Sequence, residues 1–212
     1  MTVYFGPNPN IESIFRTTSG LSAKFFNGSW RSTIADGNIG TLPLTKENDS
    51  SNVTGTTGLP DPSYRFGVNI WPSIAFGNSI GDSYGFIAIG YFKPPVSGTY
   101  TIYTNSDDGS GVWIGDLALP NATRTKANAT LDNNLSGNQA PVERSSTINL
   151  VGGILYPIRI VMEEGGGGDV LIFSWAGPGI SKTTDLLEHF RTSVFADGTS
   201  TGNYFLFPSR EL

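Results

Sequence analysis

Apolar and polar positions alternate along much of the chain, with a period that predicts β-strands rather than helices. In the segment 99–105, for example, Tyr100 and Ile102 alternate with Thr101 and Tyr103. Glycine, proline and Asn/Asp clusters separate the short apolar runs, as expected for turns between antiparallel strands. The pattern therefore predicts an all-β protein with an antiparallel β-sandwich or barrel fold. The predicted strands are 20–26, 85–92, 99–105, 112–114, 148–150, 155–162 and 170–175.

A single short segment near the carboxyl end has the features of a helix. Thr184 or Asp185 could cap a turn of helix over 186–190. Tertiary contacts could equally hold these residues as a loop, so both alternatives stay open at this point.

The chain of 212 residues is long enough for one sandwich with its own core. We divide it into an N-terminal arm (1–19), a sandwich (20–195) and a C-terminal tail (196–212). Glycine and prolines in the arm disfavour regular structure, while its apolar residues could pack on the sandwich or dock on a partner subunit. Long polar loops are expected at 36–63 and 116–144.

Composition narrows the possible functions. The chain has 27 glycines and 13 prolines, only 15% charged residues and a net charge of −5. No run of lysine or arginine is present, which argues against general binding to nucleic acid. The absence of cysteine excludes disulfides, thiolate metal sites and cysteine nucleophiles. A mildly acidic protein can instead bind a hard cation through a cluster of carboxylates.

Cellular location is only partly constrained by the sequence. No apolar stretch is long enough to span a bilayer, and the amino terminus lacks the basic and apolar regions of a Sec signal peptide. The chain would stay in the cytoplasm, leave by another route, have lost a leader, or belong to a virus particle. We expect an extracellular or virion-surface location.

Two acidic segments follow predicted strands and are expected at the same edge of the sandwich. One is Asp107-Asp108-Gly109, and the other is the glycine run 165–168 followed by Asp169. Adjacent side chains of an extended strand point to opposite faces, so neighbouring carboxylates do not easily bind one ion. A cis peptide bond between Asp107 and Asp108 would turn both carboxylates the same way.

These segments contain the oxygen donors that Ca²⁺ prefers. Asp107, Asp108 and Asp169 offer carboxylates, and the backbone carbonyls of Gly166 and Gly167 can turn toward an ion because glycine is conformationally permissive. An ion at a loop end would keep positions open for the vicinal hydroxyls of a sugar. An Asp-Asp-Gly sequence is also common in ordinary turns, and on the residues alone that alternative is favoured.

The chain resembles PA14-type domains over residues 20–190. The Ser-Asp-Asp-Gly-Ser sequence followed by a β-rich run, and the Gly-x-Phe-x-x-Pro-x-x-Gly-x-Tyr pattern before it, carry much of the resemblance. Similar segments open the domain and form its last two core strands. The segments concerned are 20–26, 90–103, 104–115, 156–160 and 171–175.

The resemblance implies a β-sandwich that serves as a carbohydrate-binding module in adhesins, flocculins and some glycosidases. In its lectin members the paired aspartates form a cis peptide and bind Ca²⁺, which assigns that role to Asp107 and Asp108. A second calcium loop in some bacterial members has the sequence Gln-Gly-Gly-Asp. Gly167, Gly168 and Asp169 match its last three residues, and Gly166 stands in place of the glutamine. Other members keep the sandwich without lectin activity.

Several aromatic residues are candidates for the core or for sugar binding. Trp113 and Trp175 lie within predicted strands and are expected in the core. Tyr84 lies near a loop and is a candidate for stacking on a sugar ring, as are three further aromatic residues near loops. These three are Trp30, Trp71 and Phe76.

The leading hypothesis is a non-enzymatic, calcium-dependent module that binds a glycan or polysaccharide for surface attachment. A single histidine and the lack of a Gly-x-Ser-x-Gly motif disfavour catalysis by the usual triads. The loops 76–84 and 116–144 would shape the sugar pocket. The alternative is a structural virion, fibre or decoration protein that uses its terminal arms to contact other subunits. The two hypotheses are compatible in a phage particle that recognises host polysaccharide.

Overall fold

A computed structural model describes residues 15–19, 21–27, 84–119, 122–168, 170–186 and 188–195 of the chain. These residues form β-strands joined by loops and two 3₁₀ turns, Asp116–Ala118 and Lys126–Asn128. The strands are β1 Phe15–Ser19, β2 Ser22–Asn27, β3 Tyr84–Phe92, β4 Gly98–Asp107, β5 Ser110–Ile114, β6 Leu131–Asn133, β7 Val142–Leu150, β8 Tyr156–Glu164, β9 Val170–Gly177, β10 Ile180–Thr183 and β11 Phe190–Phe195.

The strands form two sheets in which every described pair is antiparallel. The first sheet has seven strands in the order β1-β11-β3-β8-β5-β6, with β2 pairing along β3. The second has four strands in the order β10-β9-β4-β7. This arrangement confirms the predicted all-β, antiparallel β-sandwich.

The main core lies between the sheets and is centred on aromatic rings. Phe92 stacks on Phe190 with 4.7 Å between ring centroids. Its ring also makes edge contacts with Tyr100 at 5.4 Å and Trp175 at 5.2 Å. The alternation of buried positions along β4 explains how Tyr100 and Ile102 both point into this layer. Trp175 is buried here, as predicted from the sequence.

A second apolar cluster covers the opposite face of the larger sheet. Trp113 packs there with Ile87, Ile89 and Val161, and the segment that follows β5 supplies Ala118 and Leu135. The indole N–H of Trp113 donates to Asn128 Oδ1 at 3.0 Å, so its polar atom is satisfied. The polar segment 116–144 is therefore not only a loop, because it includes β6 and covers this face.

The inner faces of the strands become polar toward one end of the sandwich. On β4 the buried side chains change from Tyr100 and Ile102 to Thr104 and Ser106. On β8 the buried series Ile158, Ile160 and Met162 ends with Glu164. We call this end, where β4 and β8 end and β5 and β9 begin, the acidic rim.

The structure differs from two sequence-based expectations near the chain ends. The helix over 186–190 is wrong and the described residues agree with the loop alternative, because residues 188–189 form a turn and Phe190 enters the aromatic core and begins a strand paired with β3. Leu187 lies outside the described residues. The last residues of the predicted arm form β1, which pairs with β11. The loop 36–63, most of the arm and the tail 196–212 lie outside the described residues. No helix in the part of the chain described here is long and apolar enough to cross a membrane.

The burial of the aromatic core predicts that two side-chain truncations will differ clearly in their effect on the free energy of unfolding. Phe92→Ala removes a buried ring from three aromatic contacts and is expected to lower the free energy of unfolding by about 3–5 kcal/mol. Val151→Ala shortens the side chain of a residue that is 55% exposed, so the free energy of unfolding is expected to change by less than about 0.5 kcal/mol. Urea unfolding followed by tryptophan fluorescence measures both, and equal effects would contradict this account of the core.

Candidate metal centre

Three connections between the two sheets meet at the acidic rim. The link from β4 to β5, the link from β6 to β7 and the link from β8 to β9 all cross from one sheet to the other. Strand register aligns them, since Ser110 pairs with both Met162 and Asn133, and Asp107 pairs with Val170. Residues that are far apart in the sequence therefore come together at this end.

The acidic doublet lies in the first of these links. The peptide bond between Asp107 and Asp108 is cis, as the resemblance to PA14-type domains implies. Oxygen atoms of Asp107, Asp108 and Glu164 all lie within 4.8 Å of one another. We call these three residues the carboxylate cluster.

Asp108 is held by both neighbouring links. Its side chain is buried, with the residue only 4% exposed. Its Oδ1 accepts a hydrogen bond from the backbone N–H of Gln139 at 3.0 Å. Its Oδ2 accepts one from the backbone N–H of Gly165, also at 3.0 Å. Each carboxylate oxygen has two lone pairs, so each can accept an N–H and still bind a cation.

Glu164 and Asp107 complete the cluster from the two sides. Glu164 is 1% exposed, and its Oε1 accepts a hydrogen bond from the backbone N–H of Gly166. Asp107 is half-buried, and the glycine loop passes close to it: a Cβ added to Gly168 would lie 3.4 Å from Asp107 Oδ2. The two segments predicted to share one edge do meet there.

The chemistry of the cluster fits a hard divalent cation. Carboxylates this close repel one another, and burial removes the water that would screen them. The backbone N–H donors offset part of this cost at Asp108 and Glu164. Oxygen donors of this kind, at the mouth of a glycine loop, are typical ligands of Ca²⁺.

The structure describes three of the four other residues that were predicted to belong to the site. Gly166 and Gly167 are exposed in the loop beside the cluster. Asp169 lies outside the described residues, so its role stays a prediction. Tyr84 begins β3 and pairs with Glu164, which places its backbone at the acidic rim.

Sequence reasoning missed Glu164 and Gln139. Glu164 could have been found by extending the alternation of Ile158, Ile160 and Met162 by one position, because every second residue of β8 faces the other sheet. No local pattern indicates Gln139, which is 31 residues from Asp108 in the chain.

Comparison with known proteins agrees with this fold. Residues 84–176 match the GLEYA domain family. No curated protein matches the chain. The A domain of epithelial adhesin 9 from Candida glabrata, solved in complex with Galβ1-4GlcNAc, is similar with a TM-score of 0.58 and 14% identity. That match covers 88% of this chain and 92% of the adhesin domain.

Two further solved structures show the same likeness. The A domain of epithelial adhesin 6 from Candida glabrata, solved in complex with Galβ1-3GlcNAc, has a TM-score of 0.52 at 15% identity over 87% of this chain and 92% of its own. An anti-sigma factor domain-containing protein from Clostridium clariflavum has a TM-score of 0.51 at 17% identity over 90% of this chain and 51% of its own. The chain thus spans about half the length of that protein.

The β-sandwich fold and the match of residues 84–176 to the GLEYA domain family together bear out the predicted resemblance to PA14-type domains. At these identities the likeness to the solved structures is one of fold.

Close backbone contact at the acidic rim leads to a prediction about Gly109. A Cβ at this position would lie 2.1 Å from the backbone oxygen of Asn134, so one of the two links must move. Gly109→Ala is expected to lower the free energy of unfolding by about 1–3 kcal/mol. Gly168→Ala is the matched control, because its nearest neighbour is Asp107 Oδ2 at an ordinary contact distance of 3.4 Å. Denaturant titration measures both variants, and a Gly109→Ala variant as stable as the control would contradict the described contact.

Proposed function

We propose that this chain is a calcium-dependent, carbohydrate-binding module that acts in surface attachment. The observation that carries the proposal is the carboxylate cluster, which the three sheet-crossing links bring together at one exposed end of the sandwich. The fold supports it, because the adhesin A domains named above share that fold and were solved with bound disaccharides.

Asp107, Asp108 and Glu164 would hold the ion. Asp108 and Glu164 are fixed by backbone N–H donors, so their oxygens are already oriented before any ion binds. Asp169 and the carbonyls of Gly166 and Gly167 remain further candidate ligands. Ca²⁺ accepts six to eight oxygens in flexible geometry, so a mixed set of carboxylates and carbonyls is suitable.

The sugar would bind on the solvent side of this cluster. A bound calcium ion supplies coordination positions that two neighbouring sugar hydroxyls can occupy in place of water. Among the described residues on that side, the exposed glycines 166–168 carry no side chain that would keep a pyranose ring from approaching. Tyr84 starts β3 at the same rim and remains the candidate for stacking on the ring. Weak binding at one site would be strengthened by multivalent display.

The proposed role is binding without catalysis at an extracellular or virion surface. Assembly into a virion or fibre through the terminal arms also remains a proposal, and size-exclusion chromatography tests it. An obligate oligomer that does not respond to sugar would favour assembly over glycan binding.

The cluster predicts how calcium binding depends on single carboxylates. The wild-type domain should bind Ca²⁺ with a Kd of about 10⁻⁴ to 10⁻³ M, as extracellular modules do. Asp107→Asn and Glu164→Gln should each weaken binding roughly tenfold or more, because each removes one ligand charge. Neither should lower the stability of the calcium-free protein by much, since the loss of one charge relieves repulsion.

Isothermal titration with Ca²⁺ measures these affinities, and Asp116→Asn serves as the control. Asp116 is an exposed aspartate outside the carboxylate cluster, so this variant should bind like the wild type. An equal loss in all three variants, or no loss in the two cluster variants, would count against the assigned ligands.

Sugar binding should depend on the ion. We expect β-lactose or Galβ1-4GlcNAc, chosen from the ligands of the similar adhesins, to bind in calcium and to lose measurable binding in chelator. A glycan array repeated with and without chelator extends the test to other sugars. Signals that are the same in both conditions would refute the calcium dependence.

A further inference from the structure

We infer that Gln139 is a positioning residue that holds Asp108 in the orientation needed to bind the ion. This inference rests on the proposed function, because it concerns the same site. It assigns a role to a residue that is neither a ligand of the ion nor part of the acidic segments. The contacts of the link between β6 and β7 carry it.

This link is fixed against the acidic doublet by its backbone. The N–H of Gly109 donates to the carbonyl of Gly137 at 3.2 Å, and the N–H of Gly137 donates to the carbonyl of Asn134 at 2.8 Å. The N–H of Leu135 donates to Asp132 Oδ1 at 2.9 Å, which stabilises the turn at the start of the link. Gln139 then places its own N–H 3.0 Å from Asp108 Oδ1.

The side chain of Gln139 anchors that backbone in the interior. Its Nε2 donates to the carbonyl of Ser106 at 3.0 Å and to Asn133 Oδ1 at 3.2 Å. Ser106 Oγ at 3.3 Å and the backbone carbonyl of Asp108 at 3.5 Å are further acceptors within reach, so both N–H groups of the amide have partners. The side chain therefore has one preferred position between β4 and β6.

Asn133 continues the network into the smaller sheet. It is fully buried, and its Nδ2 donates to the carbonyl of Thr104 at 3.0 Å and to the carbonyl of Val142 at 2.9 Å. Hydroxyl groups complete this layer, with Ser110 Oγ 3.0 Å from Thr104 Oγ1 and 2.8 Å from Ser106 Oγ. A hydrogen-bonded path thus runs from β4 and β7 through Asn133 and Gln139 to the carboxylate of Asp108.

The physical role of Gln139 follows from this path. One oxygen of Asp108 accepts from Gly165 in the link between β8 and β9, and the other accepts from Gln139, so loss of the second contact removes one restraint on rotation of the carboxylate. If the amide is removed, the backbone N–H remains but loses the side-chain anchor that helps the backbone contacts of the link to hold it in position. Ligand orientation by such outer contacts affects metal affinity about 10–100-fold in known metal sites.

The test measures metal binding without any sugar. Gln139→Ala, and Gln139→Met as a variant of similar length without the amide, are titrated with Ca²⁺ and with Tb³⁺. We expect both to bind roughly tenfold or more weakly than the wild type. Luminescence lifetimes of bound Tb³⁺ in H₂O and D₂O should show more bound water in the variants, because a misplaced carboxylate leaves a position to solvent.

Asn128→Ala controls for simple loss of stability. Asn128 accepts from Trp113 Nε1 and caps a 3₁₀ turn, and its hydrogen bonds to Trp113, Thr123 and Thr125 all lie outside the carboxylate cluster. The Asn128→Ala substitution should lower the melting temperature of the metal-free protein while leaving the affinity for Tb³⁺ and the hydration of bound Tb³⁺ unchanged. If Asn128→Ala weakens metal binding as much as the Gln139 variants do, the positioning role is overturned.

The remaining outcomes separate this inference from the proposed function. Unchanged affinity and hydration in both Gln139 variants, with metal binding in the wild type, would overturn the positioning role and leave the calcium site intact. A wild-type protein that binds neither metal would overturn both. Weaker binding and higher hydration in either folded Gln139 variant, with a normal control, support the inference.

Discussion

The carboxylate of Asp108 is the contact on which the acidic rim depends. One of its oxygens accepts from the link between β6 and β7, and the other accepts from the link between β8 and β9. Asp108 itself lies in the link between β4 and β5, so three sheet-crossing segments are joined through one side chain. The same contacts that close this end of the sandwich also orient the group that would bind the ion, so stability and binding share one arrangement.

The sandwich tolerates buried acids here because its interior changes gradually from apolar to polar. Aromatic rings fill the layer around Phe92, hydroxyl and amide groups follow at Ser106 and Asn133, and carboxylates end the series. The hydroxyl and amide groups hydrogen-bond among themselves, and backbone N–H groups of the links donate to Asp108 and Glu164, which limits the cost of burying charge. A cluster placed directly against the aromatic core would border apolar rings instead of this hydrogen-bonded layer. The polarity gradient along β4 and β8 is thus what allows a charged site to be built at this end.

Much of this arrangement could be predicted from the sequence, because strand alternation and turn residues are local signals. The strand pattern, the burial of Trp175 and the acidic doublet all follow from short segments. The short helix over 186–190 is wrong because Phe190 gains more by entering the aromatic core and pairing with β3 than a capped turn provides locally. Glu164 could have been predicted by extending the alternation along β8 by one position. Gln139 could not have been predicted, since its contacts depend on how separate links cross between the sheets.

A crystal structure of the domain grown in calcium, with anomalous scattering data, tests the central claim most directly. The account predicts one strong anomalous peak bound by oxygens of Asp107, Asp108 and Glu164, at distances of about 2.3–2.6 Å. It also predicts that the N–H groups of Gln139 and Gly165 still donate to Asp108 when the ion is present. Crystals with no peak at the acidic rim, or with a peak coordinated by other residues, would contradict it.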